Sequence, residues 1–356
     1  MYHRLPTFAL CCLALVGAAV PAFAQNPTPA PAPKAAPAPP PVRRWLDVQS
    51  LVAAMRYRFT ENSTGKKTVD DLQWQTQFRG RFLFDKAGRY NVGTFMTTGS
   101  TYRSGWNYTG AGINNATHPF YVRQLWFGAS PVKALEFQAG GLAVNRGEVS
   151  DVMASDNDSF IVASRATVRP THGFVTQLSG SAGYFDATGK SNLFLQLDDL
   201  KWNYGQALAG FKLGPRATAS VDYTYEAGKD ILREGVALRM PASVKAVTAL
   251  RFESYQRVAP DTHSGYNASA DLRVQKLTAT VGVMATDRNY GPFNGDRYEL
   301  GKRSYFVVNY PVTPEWQLQA FYTHAFDITF PITIKQRFDF VVTYNPTAYL
   351  KKRRVF

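Results

Sequence analysis

Arginine recurs in this chain at even spacing. Arg56 and Arg58, Arg79 and Arg81, and Arg165 and Arg169 are separated by two or four residues. On an extended backbone, even spacing puts side chains on one face, so each pair projects from the same side of a strand. Guanidinium groups gathered on one face of a water-filled passage attract anions and repel cations through their field, without making or breaking a bond. Acids crowd a different segment, Arg146-Gly-Glu148-Val-Ser-Asp151-Val-Met-Ala-Ser-Asp156-Asn-Asp158. Read blandly, Glu148, Asp151, Asp156 and Asp158 belong to an ordinary solvated loop, and the arginines pair with neighbouring acids. Asp156-Asn-Asp158 also suggests calcium, but the spacing lacks the glycine and distal glutamate of an EF-hand loop.

Bond-making chemistry has little to draw on. The five histidines are His3, His118, His172, His263 and His324. His3 lies in the leading segment, His118 and His263 in or beside long links, and His172 in a short turn. His324 is the one placed inside a strand, on the apolar face that also carries Trp316, Leu318, Ala320 and Tyr322. No nucleophile elbow, zinc-type histidine pair, phosphate-binding loop or dinucleotide fingerprint stands in a usable context. No catalytic, cofactor-binding or metal-binding residues are therefore expected, and the function is expected to be non-enzymatic.

The elements that position these residues read as strands. Leu72, Trp74, Thr76, Phe78, Gly80, Phe82 and Phe84 alternate with Gln73, Gln75, Gln77, Arg79 and Arg81. Met55, Tyr57 and Phe59 oppose Arg56 and Arg58; Val221, Tyr223 and Tyr225 oppose Asp222 and Glu226; Leu250 and Phe252 oppose Arg251 and Glu253. Period two with one apolar and one polar face is the mark of a half-buried strand. By the same alternation Arg123, Arg216, Arg233, Arg239, Lys245, Arg273 and Arg337 take the polar face, with fewer acids, Glu136, Asp222, Glu226, Glu253, Asp271 and Asp339.

Composition agrees with an all-β chain. With 45% hydrophobic and 14% aromatic residues among 356, the chain has ample surface to bury, which excludes a disordered basic tail. The net charge of +14 raises the question of nucleic acid. Export argues against it. Residues 1–24 read as a secretory signal peptide: Arg4 near the start, an apolar centre, and Ala22-Phe-Ala24 before the cut. Both cysteines, Cys11 and Cys12, fall inside it, so the processed chain has no thiol. Residues 25–45 form a Pro/Ala-rich leader that favours polyproline II. Beyond the signal, no run of about 18 apolar residues could form a membrane helix.

Alternation alone cannot separate a membrane barrel from a soluble sandwich, because both have one apolar face per strand. The connections discriminate. Tight links at 85–89, 129–133, 170–173, 214–215, 240–242, 275–276 and 310–314 alternate with longer ones at 61–70, 103–118, 146–158, 257–265, 287–300 and 327–334. Short turns at one end and longer loops at the other describe an outer-membrane barrel. Sixteen strands are expected across residues 46–346, followed by a basic tail, 347–356. A hairpin in 190–202 would make eighteen. Tyr57, Phe59, Phe82, Phe84, Tyr121, Trp126, Tyr223, Tyr225 and Tyr344 fall near strand ends, where interfacial girdles sit.

Together with the terminal Phe356, these features resemble a bacterial outer-membrane porin, a transmembrane antiparallel β-barrel. The resemblance covers about 300 residues and is architectural, without a subfamily signature. It implies a water-filled channel for passive diffusion of small hydrophilic solutes. The partners implied are outer-membrane lipid and solutes that are anionic given the lumen's basic excess, while a homotrimer stays open. It further implies that the link after the fifth strand folds inward, so that Glu148, Asp151, Asp156 and Asp158 face Arg56, Arg58, Arg79, Arg81, Arg165 and Arg169 across a constriction. Arg123, Arg233 and Arg251 join the expected basic lining. The C-terminus departs from the pattern, since Leu350-Lys-Lys-Arg-Arg-Val-Phe356 puts charges where apolar residues are usual. A closed barrel serving structure, adhesion or envelope tethering is the competing expectation.

Overall fold

The computed structural model describes residues 45–102, 104–154, 160–185, 202–286, 298, 301–326 and 334–353. The signal segment, nearly all of the leader, the 190–201 stretch, and Asp156 and Asp158 lie outside them.

Seventeen strands join in one antiparallel sheet. They are β1 (Leu46–Glu61), β2 (Lys67–Leu83), β3 (Tyr90–Thr98), β4 (Asn107–Gly112), β5 (Phe120–Val132), β6 (Leu135–Leu142), β7 (Ile161–Val168), β8 (Val175–Tyr184) and β9 (Tyr204–Lys212), then β10 (Ala217–Glu226), β11 (Lys229–Arg239), β12 (Val247–Ala259), β13 (His263–Val274), β14 (Leu277–Thr286), β15 (Gly301–Pro311), β16 (Trp316–Ala325) and β17 (Gln336–Tyr344). Sixteen of them build the wall of a closed barrel. The extra one, β4, belongs to the link between β3 and β5. It pairs Asn107 with Trp74 and Tyr108 with Gln73, on the part of β2 that β3 has already left; β3 holds Gln77 to Leu83. The all-β expectation of about sixteen alternating strands matches this wall.

Closure comes from β1 pairing with β17, from Ala53 against Tyr344 to Glu61 against Gln336. No edge is left along that seam, which removes the unpaired backbone groups that lipid could not satisfy. A short helix, α1 (Thr347–Lys352), follows β17 and lies against β1. The Leu51 N–H donates to Thr347 Oγ1 at 2.7 Å, and Lys351 approaches Asp47 at 3.7 Å.

Burial is inverted relative to a soluble protein. On β13, Tyr266 is 59% exposed while its neighbour Asn267 is 2% exposed. On β12, Phe252 is exposed and Glu253 is buried. The polar face therefore points into the barrel and the apolar face outward, the arrangement of a lipid-facing wall and not of a sandwich, whose apolar faces meet inside.

Two expectations are corrected. The link expected at 61–70 is only 62–66, because β2 begins at Lys67, and the Asn62 carboxamide accepts the Thr64 and Lys66 N–H groups at 3.0 and 2.9 Å to close a tight turn. That expected at 257–265 shrinks to 260–262, since ladder pairing carries β12 to Ala259. Two aromatics expected in the girdle also point elsewhere. Trp126 lies over Gly93, where a Cβ would stand 2.1 Å from the indole, and packs on Leu142, Ile161 and Ala163 inside the barrel. Tyr121 sets its ring edge-on to Tyr102 within a buried cluster. Tyr57, Phe82, Phe84, Tyr223 and Tyr225 are exposed on the outer face.

Candidate functional site in the barrel lumen

Residues 143–154, after the fifth wall strand, cross the lumen. Val149, Val152, Met153 and Ala154 form one core with Ile231, Tyr255, Met284, Tyr298, Tyr305, Val307 and Phe321. Apart from Tyr298, which lies between β14 and β15, the wall residues come from β11, β12, β14, β15 and β16, so the segment leaves β6 and seats on the far wall. Burying each such side chain contributes about 1.5–3 kcal/mol, enough to hold the crossing in place.

Polar ties fix its register. Gly147 adopts φ +59, and a Cβ there would stand 2.6 Å from Ser220, so both conformation and space call for glycine. The Glu148 N–H donates to Ser220 Oγ at 2.7 Å, and Ser150 Oγ donates to Glu253 Oε2 at 2.9 Å. Arg233 Nε donates to the Met153 carbonyl at 3.2 Å. The same guanidinium meets Asp222 at 3.3 Å, Thr224 at 3.1 Å and Glu226 at 3.7 Å, which offsets the cost of burying its charge. At the root, Arg165 donates to Ser181 Oγ at 2.9 Å and to the Ala143 carbonyl at 2.5 Å.

The link between β3 and β5 covers the other side. Gln75 Nε2 donates to the Gly105 carbonyl at 2.5 Å, and the Arg56 guanidinium lies 4.1 Å over the Trp106 ring. The two inserted links meet where Tyr102 packs edge-on against Phe160, ring centres 4.5 Å apart.

At the seam, one carboxylate serves three guanidiniums. Asp339 receives Arg58 through two bonds at 3.0 and 3.1 Å, Arg337 at 2.8 Å, and Arg56 at 3.6 Å. Arg56 also donates to Gln73 Oε1 at 2.8 Å. The local formal charge is strongly positive, and β1 and β17 carry it side by side.

The expected basic residues sort by depth. Arg81, Arg169 and Arg251 stand in the short-turn half, each on a neighbouring acid, and keep side-chain exposures of 40%, 50% and 36%. Arg56, Arg123 and Arg233 are buried under the inserted links. Arg58 and Arg165 lie between these extremes. So does Arg79, whose guanidinium stacks 4.4 Å over Phe95. Glu148 and Asp151 ride on the inserted segment, but neither forms an ion pair with these arginines among the described residues. Among the described residues, the segment reaches Arg233 through the Met153 carbonyl.

Sequence reasoning missed Arg257 and Arg303, both buried, and the aromatic contributors Tyr102, Trp106 and Met153's pocket. Arg303 alternates in phase with Tyr305 and Val307, a readable signal. Arg257 was hidden because its strand was expected to end one residue earlier. Nothing local marks Tyr102 or Trp106 as entering the lumen.

No family model and no curated protein matches this chain. Solved structures do. A mutant porin of Rh. blastica superposes with TM-score 0.51 at 11% identity, covering 83% of this chain and 99% of that one. A second mutant of that porin gives TM-score 0.51 at 12% identity over the same shares. A structure described as "Asymmetric conductivity of engineered proteins" gives TM-score 0.53 at 10% identity, over 84% of this chain and 99% of that one. At such identities the likeness is one of fold: the chain is a general-porin-like β-barrel.

Proposed function

We propose that this protein is an outer-membrane channel through which small hydrophilic solutes diffuse passively, with a preference for anions. The observation that carries the reading is the inverted barrel, sixteen strands closed on themselves, apolar outside and arginine-rich inside, with one link folded across the lumen. A wall of that size encloses an aqueous interior. The basic lining, Arg58, Arg79, Arg81, Arg165, Arg169 and Arg251 with the seam cluster around Asp339, supplies the anion preference; Glu148 and Asp151 on the inserted segment narrow the passage opposite it. Residues 1–24 direct export, and the leader and barrel then follow on the periplasmic and membrane sides. Assembly as a homotrimer is part of the same reading.

The test is single-channel recording of the refolded processed chain in a planar bilayer, with reversal potential under a salt gradient. Discrete steps with anion selectivity are expected, and Arg79→Gln with Arg81→Gln should lower that selectivity at least twofold. Silence from protein shown to be folded, or selectivity untouched by the double variant, overturns the arginine-lined pore.

A further inference from the structure

Among the described residues, exposed bases without an ion pair are more numerous at the short-turn end of the barrel. Among the described residues at the long-loop end, Lys67 pairs with Asp70, Lys335 with Glu61, and Arg257 with Asp261, while Lys66 and Lys229 make no ion pair. At the short-turn end, exposed bases stand in one connection after another without such partners. Lys86 lies between β2 and β3, Lys133 between β5 and β6, Arg216 between β9 and β10, Lys245 between β11 and β12, Lys276 between β13 and β14, and Lys352 on α1. None of the six makes an ion pair among the described residues. Of the acids at this end, Asp47 is engaged by Arg81 and Lys351, Asp85 by Arg89, Glu136 by Arg169, and Asp271 by Arg251, while Glu315 between β15 and β16 accepts from Thr313.

These bases are not scattered at random over the rim. Each has a large exposed apolar side chain close by in sequence: Phe84 two residues before Lys86, Val132 beside Lys133, Leu213 three before Arg216, Val244 beside Lys245, Val274 and Leu277 around Lys276, and Tyr349 three before Lys352. Phe84 is 65% exposed and Val274 60%, values that water would penalise and a membrane interface would not. A cation set against an apolar side chain at the edge of a lipid-facing belt is the pairing that holds a stem in hydrocarbon and its charge among headgroups. The six bases are spread over five of the seven short connections and α1, whereas a docked soluble partner would need bases on one side only.

We propose that the short-turn rim binds the phosphate groups of anionic phospholipids in the leaflet it faces, and so holds the barrel at a set depth and orientation. The inference rests on the membrane-barrel reading above and adds the lipid class to it. A basic residue at an anionic leaflet surface is worth about fivefold in local lipid preference, screened by salt.

The experiment reconstitutes the full processed chain in bilayers of mixed phosphatidylcholine and phosphatidylglycerol, with bromine on the acyl chains of one lipid at a time, and reads quenching of tryptophan fluorescence. Brominated phosphatidylglycerol is expected to quench severalfold more effectively than brominated phosphatidylcholine at low salt. The difference should vanish in 1 M salt and in a variant carrying K86Q, K133Q, R216Q, K245Q, K276Q and K352Q. The salt arm uses the unaltered chain, so it stands even where the variant folds poorly. Equal quenching by both lipids overturns the rim proposal and leaves the membrane barrel intact; no quenching by either overturns the membrane barrel itself. A preference that survives all six substitutions in a folded variant places the lipid site elsewhere. Binding of soluble polyphosphate by the rim, with no lipid preference, assigns it to a soluble polyanion and overturns the proposal.

Discussion

Asp339 is the residue on which most charge converges. It is 2% exposed and faces Arg56, Arg58 and Arg337, so neutralising it leaves three guanidiniums close together with their shared negative charge gone. Removing one partner from a buried ion pair costs about 3–5 kcal/mol, because the remaining charge stays desolvated. Asp339→Asn is expected to lower stability by about that amount, read as a shift in the urea unfolding midpoint of the reconstituted barrel. In the fraction that folds, the released positive charge should raise anion selectivity, read as a larger reversal potential. An unchanged midpoint would mean that Gln73, the Trp106 ring and water already satisfy these arginines. Alternation alone puts these arginines and Asp339 on the polar faces of their strands. Their convergence is not legible there, since β1 and β17 are the two ends of the barrel and Arg58 and Asp339 are 281 positions apart.

At the scale of elements, the inserted segment decides what the lumen is. Its apolar residues lock into a pocket built by five strands, and Met153, 0% exposed, sits within it. Met153→Ala removes most of that side chain from a packed site, at a cost of about 2–5 kcal/mol. The wall strands keep their own ladders, so the loss should fall on the segment and not on the barrel: conductance steps should grow or flicker while the unfolding midpoint moves little. The opposite pattern, a lower midpoint with unaltered conductance, would show that the segment belongs to the barrel's folding core and not to its passage. The sequence revealed the segment by its acids, whereas the structure holds it by Val149, Val152 and Met153. Apolar residues in a link carry no local sign of whether they face solvent, a neighbour or the opposite wall.

For the whole molecule, selectivity is a matter of field and screening. The Debye length is about 10 Å at 0.1 M salt and about 3 Å at 1 M. The exposed arginines, Arg81, Arg169 and Arg251, stand in the water-accessible half, where mobile ions screen them most. The anion-to-cation permeability ratio is therefore expected to fall several-fold between those two salt concentrations. A ratio independent of salt would place the selecting charges in the buried long-loop half, around Asp339 and Arg233.

Strand periodicity, the inward placement of arginine and the outward placement of aromatics follow from the chain alone, because a strand's two faces are fixed by its period of two. The turns read with the alternation give sixteen wall strands with eighteen left open by residues 190–202, and the closed barrel has sixteen. What only the tertiary structure decides is everything that depends on closure. Bringing β1 to β17 creates the three-arginine seam, and enclosing a lumen gives two links an interior to fill. Trp126 and Tyr121 turn inward for the same reason: an aromatic near a strand end suits an interface or a packed interior equally well, and the choice between them depends on which residues stand opposite.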